Sequence, residues 1–587
     1  MSKTKKPTTL SNRTRSVIQL MLFVGILLFI NILANARFGG RSLYTYFDLT
    51  EEKRFTLTQG TQNLLAELDD VVYVNILLEG EFPAGFKRLQ TSVREILDDF
   101  RAESGYVEFS FEDPNIGTKE EINDRRKTLA DINVRPTTLN LGDADSREQR
   151  LIYPYAIFYY KGRQMPVNFL ENEVPGVPTE VILNNSIGLL EYKFANAIQK
   201  LQLGVEKPVI FFTTGHGELE PAETADLERA IRPFYNTGRL YLDSVVSISE
   251  EVSALVVAKP RFSFSEKDKF KIDQYVMKGG KVLWLLDRMR ADLDSLLGRR
   301  EYLATTYSED NLNLEDLLFK YGARIVPNLV LDVQCTKIEL AVGQVGQAAQ
   351  FDKFNYPYHP VVVPVSDHPV VKSLGPLNLL YPSTIDTTVR TKTPVEKTVL
   401  LQSSPYSRFQ MQPIALNFEI LRYPLDPTKF NKPAQPLAVL LEGTFTSMYE
   451  NRVTQELLDG LQQLNETFRT ESTPTKMIVV ADGDVAKDPI VPGAKTYYPL
   501  GYNRFENYTF ANKDFLVNAI EYLLDDKGVI EARAKDVRLR LLDTVKAQDE
   551  RTYWQLFNIG IPLLFLTLFG IGYNWWRRRR FGKSKAS

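Results

Sequence analysis

The chain has one cysteine in 587 residues, Cys335, and three histidines, His216, His359 and His368. A lone cysteine excludes an internal disulfide, Cys-x-x-Cys redox chemistry and any cysteine-cluster metal site. No Gly-x-x-x-x-Gly-Lys-Ser/Thr loop is present, so the chain does not bind ATP in that way. No internal repeat or low-complexity tract occurs either, which leaves solenoid and disordered architectures aside.

Net positive charge is confined to the two ends of the chain. The net charge of −2 hides a segregation: the first sixteen residues carry +5 and the last fourteen +6, so the span between them carries −13. An acidic body argues against nucleic acid or anionic lipid headgroups as its ligand. With 44% hydrophobic and 25% charged residues the composition is that of globular protein, and the length predicts three or four units at roughly 150 residues each.

Two long apolar runs frame this body. Leu556 to Tyr573 (LFNIGIPLLFLTLFGIGY) gives roughly 27 Å of helix, close to the hydrocarbon thickness of a bilayer. Trp554 at one end and Trp575 and Trp576 at the other take the headgroup positions, and Arg577, Arg578, Arg579 and Arg580 mark the cytoplasmic side. Val17 to Ala34 is the counterpart, preceded by Lys3, Lys5, Lys6, Arg13 and Arg15 and no acid. Ala34-Asn35-Ala36 resembles a cleavage site, but the run exceeds the usual 7–15-residue signal core, so an uncleaved anchor is expected. The expected topology is a two-pass protein of the inner (cytoplasmic) membrane, with both termini cytoplasmic and the domain between them periplasmic.

The expected organisation is a basic tail (1–16), a first membrane helix (17–36), an N-terminal α/β domain (37–204), a second α/β domain (205–530), a helical connector (531–552), a second membrane helix (553–576) and a basic tail (577–587). In the first domain, Val71 to Leu78 is an apolar run expected to be a strand buried on both faces. Phe86 to Ala102 has amphipathic helical spacing, and Tyr106 to Glu112 alternates like a strand, making a βαβ unit compatible with a thioredoxin-like fold. Leu151 to Val167 predicts a hairpin turning at Lys161-Gly162.

In the second domain, strand-length apolar runs at Val209–Thr214, Leu242–Ile248, Ala254–Ala258 and Lys281–Leu286 alternate with helical stretches, predicting a parallel sheet covered on both faces. Ligands of such sheets bind outside the carboxyl ends of the strands. That places Thr213, Thr214, Gly215, His216, Gly217, Glu218, Lys259 and Asp287 on a candidate ligand-binding rim. His216 and Glu218 are one imidazole and one carboxylate, short of three protein ligands, and the glycines beside His216 fit a tight turn. No metal, cofactor or catalytic residue is expected. His359 and His368 each precede a proline and read as turn residues; Asp482-Gly483-Asp484 lacks the spaced oxygens of a calcium loop and reads as a turn. Ala341 to Pro364 is expected to leave the sheet, and Asn512 to Leu524 to form an amphipathic helix.

The TTGHGE of Thr213 to Glu218, the KPRFSFSEKDKFKIDQYVMKGGKVLWLLD of Lys259 to Asp287, the NKDFLVNAIEYLLDD of Asn512 to Asp526 and the two flanking apolar runs together resemble the gliding-motility-associated ABC transporter auxiliary (GldG-like) family. The resemblance implies a non-ATPase subunit, often labelled substrate-binding, that accompanies an ABC permease and a cytoplasmic ATPase. Two other readings stand beside it: a structural envelope protein coupling motility or adhesin machinery, and a hydrolase of degenerate amidotransferase-like fold. The last needs a nucleophilic cysteine on a sharp turn, whereas Cys335 lies in the strand-like VLDVQCTKIELAV.

Overall fold

The computed structural model describes residues 12–35, 37–38, 41–42, 56–141, 148–171, 178–204, 207–299, 301–305, 312–345, 348–463, 466–535, 546 and 549–581. The chain divides into two compact units, Met1–Val537 and Arg538–Ser587. Residues 1–11 and 582–587 of the basic tails, most of the Ser42 to Thr58 connector and most of the connector after Lys535 lie outside the described residues.

The first unit begins with helix α1 (Asn12–Asn35), whose apolar section Val17–Asn31 is exposed along its length. A four-stranded sheet follows, built from β1 (Val72–Ile76), helix α2 (Ala84–Glu103), β2 (Val107–Phe111), helix α3 (Lys119–Asp131) and the hairpin β3 (Tyr155–Tyr160) with β4 (Arg163–Asn168), in the order β2-β1-β3-β4. β1 and β2 run parallel, as the βαβ pattern predicts, and α2 buries Phe86, Leu89, Val93, Leu97 and Phe100 at the predicted spacing. Lys161 and Gly162, with φ of 47° and 74°, turn the hairpin where expected. β1 departs from expectation, because Tyr73 is 40% exposed between buried Val72 and Val74. The sheet face opposite α2 is covered only in part, where Leu129 of α3 and Val134 meet Leu77, Tyr153 and Ile157.

Helix α4 (Leu190–Leu203) leads into a seven-stranded sheet. Its elements are β5 (Val209–Thr214), β6 (Asn236–Tyr241), β7 (Val252–Ala258), helix α5 (Glu266–Met277), β8 (Lys281–Leu285), an inserted sheet of β9 (Cys335–Val345), β10 (Ala348–Val362) and β11 (Leu377–Asn378), then β12 (Val395–Gln402), β13 (Pro436–Gly443), β14 (Thr475–Val480) and helix α6 (Asn512–Leu524). The strand order is β6-β5-β7-β8-β14-β13-β12. The first five are parallel; β13 and β12 are antiparallel to their neighbours, so the sheet is mixed rather than wholly parallel.

The strands are continuous apolar runs because both faces are covered. Val256 and Leu283 pack under Phe515, Ala519 and Ile520 of α6, while Leu255, Val257 and Trp284 pack under Ile272, Tyr275 and Val276 of α5. Ser265 caps α5, its hydroxyl accepting from the Asp268 amide at 3.2 Å.

Two expectations need correction. Leu242 to Ile248 is not a strand: Leu242–Ser244 is a short 3₁₀ turn, and the edge strand is the preceding Asn236–Tyr241. An edge strand is half solvated, so NTGRLY carries no apolar signal. Ala341 to Pro364 does leave the main sheet, but as the ordered β9–β10 hairpin, which puts His359 in a strand rather than a turn.

The second unit is helix α7 (Arg551–Phe581). Its thirty residues Arg551–Arg580 are long and apolar enough to cross a membrane, and none of that apolar window is buried. Pro562 lies inside it, and Arg579 and Arg580 stack over Trp575 and Trp576.

Candidate functional site

Three adjacent parallel strands determine where the chemistry gathers. Ala258 of β7 is level with Leu285 of β8, and Leu285 with Val480 of β14, so the residues just past these strands converge at one end of the sheet. Those residues are Lys259, Asp287, Asp482 and Asp484. The carboxylates of Asp287, Asp482 and Asp484 offer oxygens that lie within 4.8 Å of one another. Into this group comes the ammonium of Lys259, 3.1 Å from Asp287 Oδ2 and paired with Asp484.

Lys259 is 4% exposed and has φ of 53°, left-handed backbone that a lysine seldom adopts. Gly483 is required opposite it, since a Cβ there would meet Lys259 Cβ at 2.7 Å. Three more of the oxygens are held by the main chain: Gly483 N–H donates to Asp287 Oδ1 at 2.5 Å, Leu380 N–H to Asp482 Oδ2 at 2.7 Å and Asp484 N–H to Asp482 Oδ1 at 2.8 Å.

Burial pushes the Asp482 carboxyl well above its usual range, and repulsion from Asp484 and Asp287 adds to this; burial likewise raises Asp287. Burial opposes ionisation of Asp484 too, but the Lys259 ammonium outweighs it and holds that carboxyl low. Asp484 is therefore the ionised partner of Lys259. The cluster's cation is supplied by a side chain, and the residue set is filled without a metal.

Thr213 to Glu218 forms a separate arrangement after β5. Gly215 and Gly217 have φ of 115° and 73°, and a Cβ at Gly217 would meet the Phe262 ring at 2.9 Å. The His216 carbonyl accepts from Arg261 N–H at 2.7 Å and Phe262 N–H at 2.8 Å, pinning this loop to the one after β7. The His216 ring stacks on Phe264 at 3.8 Å, with Nδ1 3.5 Å from Glu218 and Nε2 3.4 Å from Asp268. Thr213 Oγ1 is buried without a hydrogen-bond partner, and Thr214 ends the strand.

Burial alone would lower the His216 pKa, but the Glu218 and Asp268 carboxylates outweigh it and raise it. Its contribution to stability is thus complete below the unfolded value of about 6.5 and is lost as pH rises through the folded one. His216→Gln is expected to lower the unfolding temperature of the detergent-solubilised protein most at pH 5.5, and the gap should narrow by pH 8.5. A gap that is constant across that range would contradict the charged pairing.

Beside the Asp484 cluster lies a cavity of about 180 Å³, at the carboxyl ends of β8 and β14. His359, Tyr381, Asp484, Lys487, Asn503 and Arg504 are among its lining residues. None of the eight predicted rim residues lines it; Lys259 and Asp287 sit behind its wall through Asp484. His359 is 4% exposed, its ring edge-on to Tyr356 and Tyr381, and its Nε2 has no hydrogen-bond partner. Burial drives its pKa down to about 3, so the imidazole is neutral. Burial pushes the Cys335 thiol up to about 12, which keeps it protonated at neutral pH.

A family model described as an ABC-type uncharacterized transport system matches residues 207–519, more than half of the chain. The chain belongs to that family. The matched span runs from β5 into α6, and so contains the predicted rim, the Lys259 cluster and every residue lining the cavity. A second model, for a domain of unknown function, matches residues 51–159 and covers β1 to β3. No curated protein matches the chain. Among solved structures, one described as the mmIFT52 N-terminal domain is similar at 14% identity and a TM-score of 0.29, covering 54% of this chain and 97% of that one.

Membership makes this an auxiliary component of an ABC-type transport system, with partners in a transporter complex. α7 gives it a helix able to reach a membrane. The sequence missed the cavity because its walls come from residues nearly two hundred positions apart. Asp292 follows β8, whereas Asp484, Lys487 and Arg504 follow β14. The one available signal was Asp482-Gly483-Asp484, a strand-end motif like Lys259-Pro260 and Asp287.

Proposed function

We propose that the chain is a membrane-anchored, non-ATPase accessory subunit of an ABC transporter, presenting a ligand site at the carboxyl ends of its seven-stranded sheet. The observation that carries this reading is the coincidence of the family-matched span with the sheet and cavity. In this reading residues 37–204 and 205–530 are two periplasmic α/β domains, and the helices at 17–36 and 553–576 are both membrane-spanning. Trp554, Trp575 and Trp576 sit at the headgroups, with Arg577 to Arg580 on the cytoplasmic side. The partners are a permease, which the two helices contact within the bilayer, and a cytoplasmic ATPase, in a complex associated with gliding motility. Lys259 and Asp287 support the ligand site from behind through Asp484, and Thr213 to Glu218 form a further part of the rim at the end of β5. No hydrolysis by this chain is required.

The test is affinity purification of the detergent-solubilised full-length protein from its native membranes, followed by mass spectrometry. A polytopic permease and an ATPase should co-purify in fixed ratio, and should be lost when Leu556 to Tyr573 is replaced by an unrelated membrane anchor. Recovery of envelope or motility proteins in their place would overturn the transporter assignment in favour of a structural role.

A further inference from the structure

The cavity next to Asp484 has walls of opposite charge. Asp292 and Asp294, both exposed, come from the segment after β8; Lys487 and Arg504 come from the segments after β14. Much of the remaining polar lining is already committed. Asp484 is paired with Lys259, Lys487 lies 3.5 Å from Glu223, one Asp292 oxygen accepts from Ser295 N–H at 2.8 Å, and Asn512 exchanges two hydrogen bonds with the Asn378 main chain, at 3.0 and 2.8 Å.

What stays free is informative. Among the described residues, the Asp294 carboxylate has no ion-pair or hydrogen-bond partner, and the Arg504 guanidinium contacts only the Phe505 ring, at 4.7 Å. Asn503 spends its oxygen on the Phe505 and Glu506 amides, at 2.9 and 3.3 Å, leaving its NH₂ unused. His359 Nε2 is buried and unpartnered, a polar group whose burial is unfavourable unless a ligand or water meets it. Leu293, Leu380, Ile490 and the Tyr502 and Phe505 rings supply apolar surface between these groups. The volume of about 180 Å³ is far more than the roughly 15 Å³ that one water needs.

We infer that the cavity binds a small ammonium carboxylate with an apolar side chain, a free amino acid or a peptide of two residues. The carboxylate faces Arg504 and Lys487, the ammonium faces Asp292 and Asp294, and the side chain lies on Tyr502 and Phe505. His359 Nε2 and the Asn503 amide complete the hydrogen bonding. A neutral ligand would leave both the Arg504 guanidinium and the Asp294 carboxylate unmet, and a simple anion or a simple amine would leave one of them. This inference rests on the reading of the cavity as the ligand site.

The experiment is calorimetric titration and thermal unfolding of the full-length protein in detergent. The probes are leucine, leucyl-leucine, isocaproate, isoamylamine, N-acetyl-leucinamide and glucose. Leucine or leucyl-leucine should bind and raise the unfolding temperature, and the stronger of the two separates a free amino acid from a peptide. Isocaproate and isoamylamine, each lacking one charge, should bind at least tenfold more weakly, and N-acetyl-leucinamide should not bind. Arg504→Gln and Asp294→Asn, both at exposed positions, should each weaken the zwitterion at least tenfold without changing the unfolding temperature of the free protein. If glucose or a singly charged probe binds as well as the zwitterions, the ligand class is wrong while the cavity remains a binding site. If no probe binds and His359→Phe leaves the protein unchanged, the cavity reading falls as well; the co-purification result stands apart from both.

Discussion

Lys259→Met is expected to remove about 3–5 kcal/mol of stability at pH 7, the usual cost of stripping one partner from a buried ion pair. Methionine keeps the length and the left-handed backbone of the position, so the loss reports the ammonium rather than the turn. What remains is three carboxylates within 4.8 Å of one another and almost no solvent to screen them. The deficit should shrink as pH falls. Asp484 is held below its ordinary range in the native protein, so its contribution is present at neutral pH and is lost as pH falls through the folded value. The variant never has that contribution, so the two denaturant midpoints should draw together only as pH is taken below the ordinary aspartate value of 3.8. Denaturant unfolding of the full-length protein in detergent, followed by Trp284 fluorescence, measures it. A deficit that grows in acid would mean that Asp484 is not the ionised partner.

How much of this was legible beforehand divides along physical lines. Elements whose two faces are both covered announced themselves: β5, β7, β8 and β14 are continuous apolar runs, and α2 and α6 carry their core residues at helical spacing. The edge strand β6 did not, because NTGRLY is half solvated, and LDSVVSI beside it mimicked a strand with an exposed Val246. The rule that ligands gather beyond the carboxyl ends of strands drew attention to Lys259 and Asp287, which do lie just past β7 and β8. It could not show that they meet Asp484, since β14 joins the sheet some 190 residues after β8. Nor could it show His359, which reaches the cavity on an inserted hairpin whose path is fixed by tertiary pairing alone. Residue types gave the rim; register gave the cavity.

Glu521→Ala is expected to be comparably damaging, for a reason that joins parts of the chain more than three hundred residues apart. Glu521 on α6 is 8% exposed; Lys200 of α4 reaches its carboxylate at 2.5 Å, Asn196 donates to it at 3.0 Å, and the Tyr192 hydroxyl donates to it as well. A second buried carboxylate, Glu191 on α4, accepts from the Thr58 amide at 2.6 Å and from Lys535 at 2.8 Å. The two acids thus tie α4 to α6 and to the segments on either side. Burial alone would raise the Glu521 pKa, but Lys200 outweighs it and lowers it. Glu521 therefore stabilises the fold above about pH 4.3 and ceases to do so as pH falls through its folded value. Alanine leaves the Lys200 ammonium and the Tyr192 hydroxyl buried without their acceptor, at a cost of about 3–5 kcal/mol. Replacing both charges, as Glu521→Leu with Lys200→Met, should recover most of that loss, because a well-packed apolar pair needs no desolvation of ions. Hydrogen exchange should then separate a local latch from general destabilisation. In Glu521→Ala the amides of Leu190–Leu203 should exchange faster while those of β7 and β8 keep their protection. Uniform acceleration across both would show that the contact holds up the whole sheet, and recovery absent from the double variant would show that charge is not what closes it.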